Sequence, residues 1–136
     1  MKEIGSNVGD GYSCVACRRS MLMTASEIGN QEGAGGIVTG EALGQKASQM
    51  LENLAATSAN VDLSLLRPPI GMNKEEIIGI SKEIGIWKSD HAGCCLATPQ
   101  KPRTGANPGE VDREMKEINL QKLVKKAKII CSCWRI

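Results

Sequence analysis

The chain has 136 residues, of which 41% are hydrophobic and 2% aromatic, and its formal net charge is +2. This length and this apolar content suit one domain with an aliphatic core. No apolar run approaches the roughly 18 residues of a membrane-spanning helix. Residues 1–5 also lack the apolar stretch of a signal peptide. We therefore expect a cytoplasmic protein that does not contact a membrane.

The first half of the chain is predicted to alternate between helix and strand. Ser13 is the predicted cap of a helix whose small and apolar residues recur at helical spacing, namely Cys14, Cys17, Met21, Ala25 and Ile28. Residues 37–39 form a predicted short strand, and the Gly-rich loop 40–44 leads to a second helix. That helix is expected to carry Ala47, Leu51, Leu54 and Ser58 on one face. Alternating apolar residues predict a second strand over 61–65.

The second half is predicted to contain two further helices. Asn73 and Glu76 form a capping box before a stripe of isoleucines at Ile77, Ile80 and Ile84, and Gly85 is a suitable terminator. The next helix is predicted from Asn107 as its cap, Pro108 in its first turn and Glu110 as the capping acid. We expect one side of it to be buried, through Val111, Met115, Ile118 and Ala127. Residues 128–133 are expected to form a final strand or a tail.

This order of elements indicates the fold class. The alternation favours an α/β structure with a parallel sheet flanked by helices, in a single domain over residues 1–136. Only two or three strands are evident, which is few for a self-sufficient sheet. We therefore expect a partner to complete it, either a second copy of the chain in a homodimer or a different subunit.

The cysteines carry the clearest chemical signal. Cys14 and Cys17 lie three residues apart at a predicted helix N-terminus, where the helix dipole favours thiolates. Such a pair can bind metal, form a redox disulfide or carry a persulfide, and the alternative is that both are small core residues.

Two further cysteine pairs are less specific. Cys94-Cys95 follows His91 in a turn-rich segment, and one of the two would give a third thiolate beside Cys14 and Cys17. Three ligands are too few for a closed zinc site but suit an iron–sulfur cluster with one open iron. Cys131 and Cys133 suit a second metal pair, reactive tail thiols or a strand with one Cys facing each way.

Four stretches of the sequence form a recognisable set. They are the Cys14–Met21 run with its two arginines, the segment 38–54 containing TGEALGQ, the segment 66–78 containing LRPPIGM, and Cys94-Cys95 ahead of Thr98-Pro99. Together they resemble one family, the tRNA 4-thiouridine sulfurtransferases of the ThiI type. The similarity spans about residues 14–104, and TGEALGQ is its most specific part.

The resemblance implies a fold and a chemistry. The fold would be a Rossmann-like sheet of the adenine nucleotide alpha hydrolase-like (PP-loop) kind. Family members use ATP to adenylate a tRNA uridine, a persulfide then delivers sulfur, and the same proteins can serve thiamine thiazole synthesis. By position, Cys94 would be the catalytic cysteine, and Cys14, Cys17 and Cys94 would hold an iron–sulfur cluster. The nucleotide pocket would be lined by Gly40, Glu41, Gly44 and Gln45.

The sequence also departs from that family. The pyrophosphate-binding loop Ser-Gly-Gly-x-Asp-Ser does not occur in it. We therefore expect the chain to correspond to the C-terminal half of the catalytic domain, and ATP to bind only if a partner supplies the loop. The sulfur would come from a donor protein or from sulfide. Residues 98–136 carry 9 basic and 4 acidic side chains, and they are expected to contact tRNA together with Arg18 and Arg19. The alternative is a non-catalytic iron–sulfur or persulfide carrier without ATP chemistry.

Overall fold

A computed structural model describes residues 8–9, 11–89 and 99–131, with side chains described up to residue 127. The helices are α1 (Ser13–Gln31), α2 (Leu51–Ser58), α3 (Lys74–Glu83), α4 (Pro108–Glu114) and α5 (Leu120–Cys131), and the strands are β1 (Gly36–Val38) and β2 (Ser64–Leu66). A 3₁₀ turn covers Ala47–Gln49. His91, Cys94, Cys95 and Cys133 lie outside the described residues.

The two strands form a parallel pair in which Ile37 lies opposite Leu65. Two neighbouring parallel strands need a crossover connection, and here the 3₁₀ turn and α2 supply it. The backbone approach is close at Gly36, where an added Cβ would lie 3.0 Å from the Ser64 carbonyl oxygen. The α/β class predicted from the alternation of elements is thus confirmed.

The core is built from small side chains because aromatic residues are scarce. Its fully buried cluster consists of Val15 of α1, Ala56 of α2, Val111 of α4 and Ala106, which precedes α4. Tyr12 and Met115 pack against it. The cluster joins three helices and so fixes where the start of α1 lies relative to α2.

One expected RNA contact is wrong. Arg19 is 1% exposed and joins α1 to α4. Its Nη1 donates to the Pro108 carbonyl oxygen at 3.2 Å, and its Nη2 pairs with the Asp112 carboxylate. A guanidinium held inside the fold in this way is not available to a phosphate backbone.

Helix boundaries follow the capping chemistry. The Asn73–Glu76 and Asn107–Glu110 capping boxes are both present, so the starts of α3 and α4 are confirmed. The single helix expected after Asn107 is wrong, since α4 ends at Glu114 and α5 starts at Leu120. The Asn119 side chain accepts from Lys122 N at 2.9 Å, which starts the new helix.

Two local predictions also differ. Tyr12, rather than Ser13, precedes α1, and it makes no side-chain cap bond. The backbone of residues 128–131 continues α5, so the expected strand or tail is wrong there. The isoleucine stripe of α3 is not buried, since Ile80 is 43% exposed and Ile84 is 61% exposed.

None of the described helices has the length and apolarity needed to cross a membrane.

Candidate functional site

The loop that follows β1 is fixed by its own backbone. Leu43 N donates to the Ile70 carbonyl oxygen at 2.9 Å, and Gly44 N donates to the Gln49 carbonyl oxygen at 3.0 Å. Gly44 has a φ of 75°, a left-handed conformation that favours glycine. The loop lies at the carboxyl end of the parallel strands, where open α/β sheets bind their ligands.

A buried carboxylate anchors this loop to two other parts of the chain. Glu41 is 1% exposed. Its Oε1 accepts from Arg18 Nε at 2.5 Å, and its Oε2 accepts from Arg67 Nε at 2.5 Å and from Thr39 Oγ1 at 3.1 Å. Arg18 belongs to α1 and Arg67 directly follows β2. Glu41 therefore joins the helix that carries Cys14 and Cys17 to the ends of both strands.

The two arginines keep this carboxylate ionised. Burial by itself would raise the pKa of Glu41, but the hydrogen bonds and charges of Arg67 and Arg18 outweigh burial and hold its pKa below the ordinary value of 4.5. Two guanidinium cations and one carboxylate leave this cluster with a net positive charge.

Each guanidinium group has a second anchor. Arg18 Nη1 donates to Ser48 Oγ at 3.4 Å, and Arg67 Nη2 donates to Ser58 Oγ at 2.7 Å. An arginine has five N–H groups, so each keeps further donors beyond its contacts with the described residues. The Arg18 side chain is 26% exposed and the Arg67 side chain is 17% exposed. The two guanidinium groups can therefore present positive charge to solvent beside the loop that follows β1.

Cys14 and Cys17 lie in the first two turns of α1, and both are half-buried. Cys17 also lines a largely apolar cavity of about 640 Å³ bounded by α1, β1 and α5. Among residues 8–9, 11–89 and 99–127, no group of three or more His, Cys, Asp or Glu is placed to hold a metal ion. Within that part of the chain the pair supplies two thiols, fewer than the four cysteines that usually hold an iron–sulfur cluster.

The predicted nucleotide residues fall into two kinds. Gly40, Gly44 and Gln45 are exposed on the loop, whereas Glu41 is buried beneath it. A Cβ added at Gly40 or Gly44 would meet no atom within 4 Å, so open space lies beside both glycines. The predicted catalytic residue, Cys94, lies outside the described residues.

Sequence reasoning did not single out the residues that hold the loop in place. Arg67 and Thr39 bind Glu41, and the Gln49 side-chain oxygen accepts from Ala42 N at 3.3 Å. All three lie inside the stretches that carry the family resemblance. The signal that could have identified these residues was their position within those stretches. Spacing along the sequence does not show which polar side chains contact one another in the fold.

Comparison with known proteins gives consistent matches. Residues 1–120 match the family model described as "Thiamine biosynthesis protein (ThiI)". A probable tRNA sulfurtransferase of Methanocaldococcus jannaschii is 38% identical over 122 residues, which are 88% of this chain and 32% of that protein. The tRNA sulfurtransferase of Thermoplasma acidophilum is 36% identical over 113 residues, which are 82% of this chain and 24% of that protein.

A solved structure also matches. The crystal structure of a 4-thiouridine synthetase–RNA complex with bound ATP superposes on this chain with a TM-score of 0.80 at 33% sequence identity. The match covers 93% of this chain and 34% of that chain. The chain thus spans about a third or less of the length of these similar proteins.

Proposed function

Because the chain belongs to the ThiI family, we propose that it acts in ATP-dependent sulfur transfer to a tRNA uridine, in the formation of 4-thiouridine. Sulfur supply to thiamine thiazole synthesis is a second use of the same chemistry. The observation that carries the proposal is the loop after β1, held by Glu41 between Arg18 and Arg67 at the carboxyl end of the sheet. The proposal is supported by the relatives, which are named tRNA sulfurtransferases, and by the ATP and RNA bound in the similar structure.

We assign nucleotide contact to the exposed part of this loop. Gly40, Gly44 and Gln45 offer backbone groups beside open space. Glu41 contributes by holding Arg18 and Arg67, whose remaining N–H groups suit phosphate oxygens. A pyrophosphate-binding loop from another segment or subunit completes this half of the site, since that motif is absent from these 136 residues.

In the proposed reaction Cys94 carries the sulfur, and Cys14 or Cys17 resolves the covalent intermediate. O4 of the uridine attacks the α-phosphorus of ATP, and pyrophosphate leaves. The terminal sulfur of a persulfide on Cys94, loaded by a persulfide-bearing donor protein, attacks C4 and displaces AMP. A thiolate from Cys14 or Cys17 then attacks the Cys94 sulfur, which leaves a disulfide on the protein and releases the thiouridine.

The same three cysteines are the candidates for ligands of an iron–sulfur cluster. Among the residues whose side chains are described, Cys14 and Cys17 supply two thiols, and a cluster usually takes four cysteines. Cys94 would add a third ligand to this pair, and the reaction above is written through the thiols alone.

Contact with tRNA is assigned to the basic surface of α5. Lys122, Lys125 and Lys126 are exposed there, and they follow the exposed Arg113 and Lys116. A cluster of lysines and arginines attracts the phosphate backbone without reading its sequence.

Sulfur mapping tests the proposal. The chain is incubated with a cysteine desulfurase and ³⁵S-labelled cysteine, and its peptides are separated without reduction. We expect label on the peptide that contains Cys94, and its loss in Cys94→Ala with an unchanged circular dichroism spectrum. Cys131→Ala is the matched control and should keep the label. An unlabelled Cys94 peptide in the unmodified chain would contradict the proposal.

Metal analysis separates sulfur transfer by thiols from the carrier alternative. Anaerobically purified chain is assayed for iron, zinc and acid-labile sulfide, beside a Cys14→Ser/Cys17→Ser variant. Stoichiometric iron and sulfide that disappear in the variant, with no binding of ATP when the rest of the domain is added, would favour the carrier.

A further inference from the structure

One edge of β1 carries no strand within the described part of the chain. Among those residues β1 pairs only with β2. Thr39 N, directly after β1, donates to the Leu66 carbonyl oxygen at 2.9 Å. Since successive residues of a strand direct their N–H groups to opposite edges, the N–H group of Val38 points away from β2. The Val38 side chain is also 69% exposed. An edge of this kind is a template on which a further strand can pair.

The apolar cavity of about 640 Å³ borders the same strand. Gly36 and Ile37 of β1 form part of its wall, whereas β2 contributes none of its lining residues. The rest of the wall comes from α1, through residues such as Met21 and Ala25, and from α5, through Leu123 and Ala127. The cavity is therefore a groove between two helices beside β1, and its apolar wall fits the apolar side chains of another element.

One buried hydroxyl in this wall makes no hydrogen bond within the described part of the chain. Ser20 lines the groove and is 2% exposed, yet its Oγ has no partner there. Ser26, in the same helix, is equally buried, but its Oγ accepts from Leu63 N at 3.2 Å. Buried polar groups are nearly always hydrogen-bonded. The occupant of the groove therefore brings a polar atom to Ser20 as well as apolar side chains.

The place of the nucleotide loop identifies the strand that belongs at this edge. Phosphate-binding loops follow the carboxyl ends of strands, and these ends meet at one edge of a parallel sheet. A strand added to β1 brings its loop beside Gly40–Gln45 at a strand spacing of about 5 Å, whereas β2 would separate the two loops if the strand were added beyond β2. The similar proteins have about two thirds or more of their length outside the matched part, which is enough chain to supply such a strand.

We propose that the free edge of β1 and the groove between α1 and α5 form the docking surface for the part of the catalytic domain that carries the pyrophosphate-binding loop. A strand of that part pairs parallel with β1, its apolar side chains fill the groove, and one of its polar atoms bonds to Ser20 Oγ. The inference rests on the proposed function, which requires that loop beside Gly40–Gln45. The surface is built from described residues of α1, β1 and α5.

Two serine variants in one helix test this surface. The probe is the part of the Methanocaldococcus jannaschii sulfurtransferase outside its 122 matching residues, co-produced with this chain as a separate polypeptide. Co-purification with the tagged chain shows whether a complex forms, and competition between tagged unmodified chain and each untagged variant gives relative affinities. Ser20→Ala removes an unpaired hydroxyl, so we expect unchanged resistance to urea but about fivefold weaker binding of the probe. Ser26→Ala, the matched control, should lower resistance to urea and leave binding within about twofold.

A charge placed in the groove gives a larger effect. We expect Ala25→Lys to weaken binding about a hundredfold or more, because the docked strand would bury the new ammonium group among apolar side chains. Ile84→Lys, at an exposed apolar position on α3, is the control and should bind like the unmodified chain. The assignment is overturned if no complex forms, or if either Ser20→Ala or Ala25→Lys binds as well as the unmodified chain. It is also overturned if Ser26→Ala weakens binding as much as Ser20→Ala does.

Sedimentation of the chain alone tests a different occupant. We expect a monomer. A dimer that Ala25→Lys dissociates would assign the groove to a second copy of the chain and overturn the proposal. None of these outcomes involves Cys94, so the sulfur-labelling experiment decides the proposed function separately.

Discussion

Arg67 Nε lies 2.5 Å from Oε2 of Glu41, so the residue after β2 is bonded to the loop after β1. Arg18 binds the other carboxylate oxygen at the same distance. Because neither arginine neighbours Glu41 in sequence, this contact exists only in the folded chain. It joins the helix with the Cys14–Cys17 pair, the loop and the sheet in one arrangement, on which the first two of the following predictions depend.

Replacing the central carboxylate should destabilise the fold. Glu41→Gln keeps the shape but leaves two partly buried guanidinium groups without their counter-charge, and removal of one partner from a buried pair typically costs about 3–5 kcal/mol. We expect the free energy of unfolding in urea to fall by about that amount. Glu52→Gln, at an exposed site in α2, is the control and should change it by less than about 0.5 kcal/mol. Equal losses in the two variants would contradict the role of Glu41.

The same group should make stability depend on pH. The pKa of Glu41 is lower in the folded protein than its ordinary value of 4.5, so the unfolded chain binds this proton more readily. The stabilisation is therefore complete above pH 4.5 and is lost as the pH falls through the lower folded value. Urea unfolding across the acid range should show this loss in the unmodified chain and a smaller loss in Glu41→Gln. Parallel pH curves for the two proteins would refute the prediction.

The close approach of the strands makes Gly36 intolerant of a side chain. In Gly36→Ala the new Cβ lies 3.0 Å from the Ser64 carbonyl oxygen, so this backbone atom of the paired strand must shift by a few tenths of an ångström. Overpacking of this kind typically costs about 1–3 kcal/mol, to be measured by thermal unfolding. Gly40→Ala is the matched control, because its Cβ meets no atom within 4 Å. The prediction is wrong if both variants melt at the same temperature.

Removing one exposed charge from α5 should weaken RNA binding without affecting the fold. For Lys125→Gln we expect lower affinity for unmodified tRNA and a plot of log affinity against log salt that is shallower by about 1, as for the loss of one phosphate contact. Lys82→Gln on α3 is the control for net charge. Filter binding at several salt concentrations measures both slopes, and identical slopes would count against α5 as the RNA surface.

Local sequence patterns were sufficient for the starts of α3 and α4 and for the fold class. The Asn73 and Asn107 caps act within a few residues of themselves, so their chemistry is readable from the sequence. Patterns failed where a competing local signal was overlooked, as at Asn119, which divides one expected helix into two. For α3, the stripe of isoleucines shows which face is apolar but not whether anything covers it.

The sequence by itself determined the family, the parallel α/β class and the loop that carries Gly40–Gln45. The burial of Glu41 between Arg18 and Arg67, the burial of Arg19, and the hydrogen bonds that join the buried Asn53 amide to Ala47, Arg103 and Ala106 were decided only by the tertiary structure. The physical reason is the range of the interactions. Helix caps and strand patterns involve neighbours in sequence, whereas these polar contacts join residues 6 to 93 positions apart, and only packing of the core brings them within bonding distance.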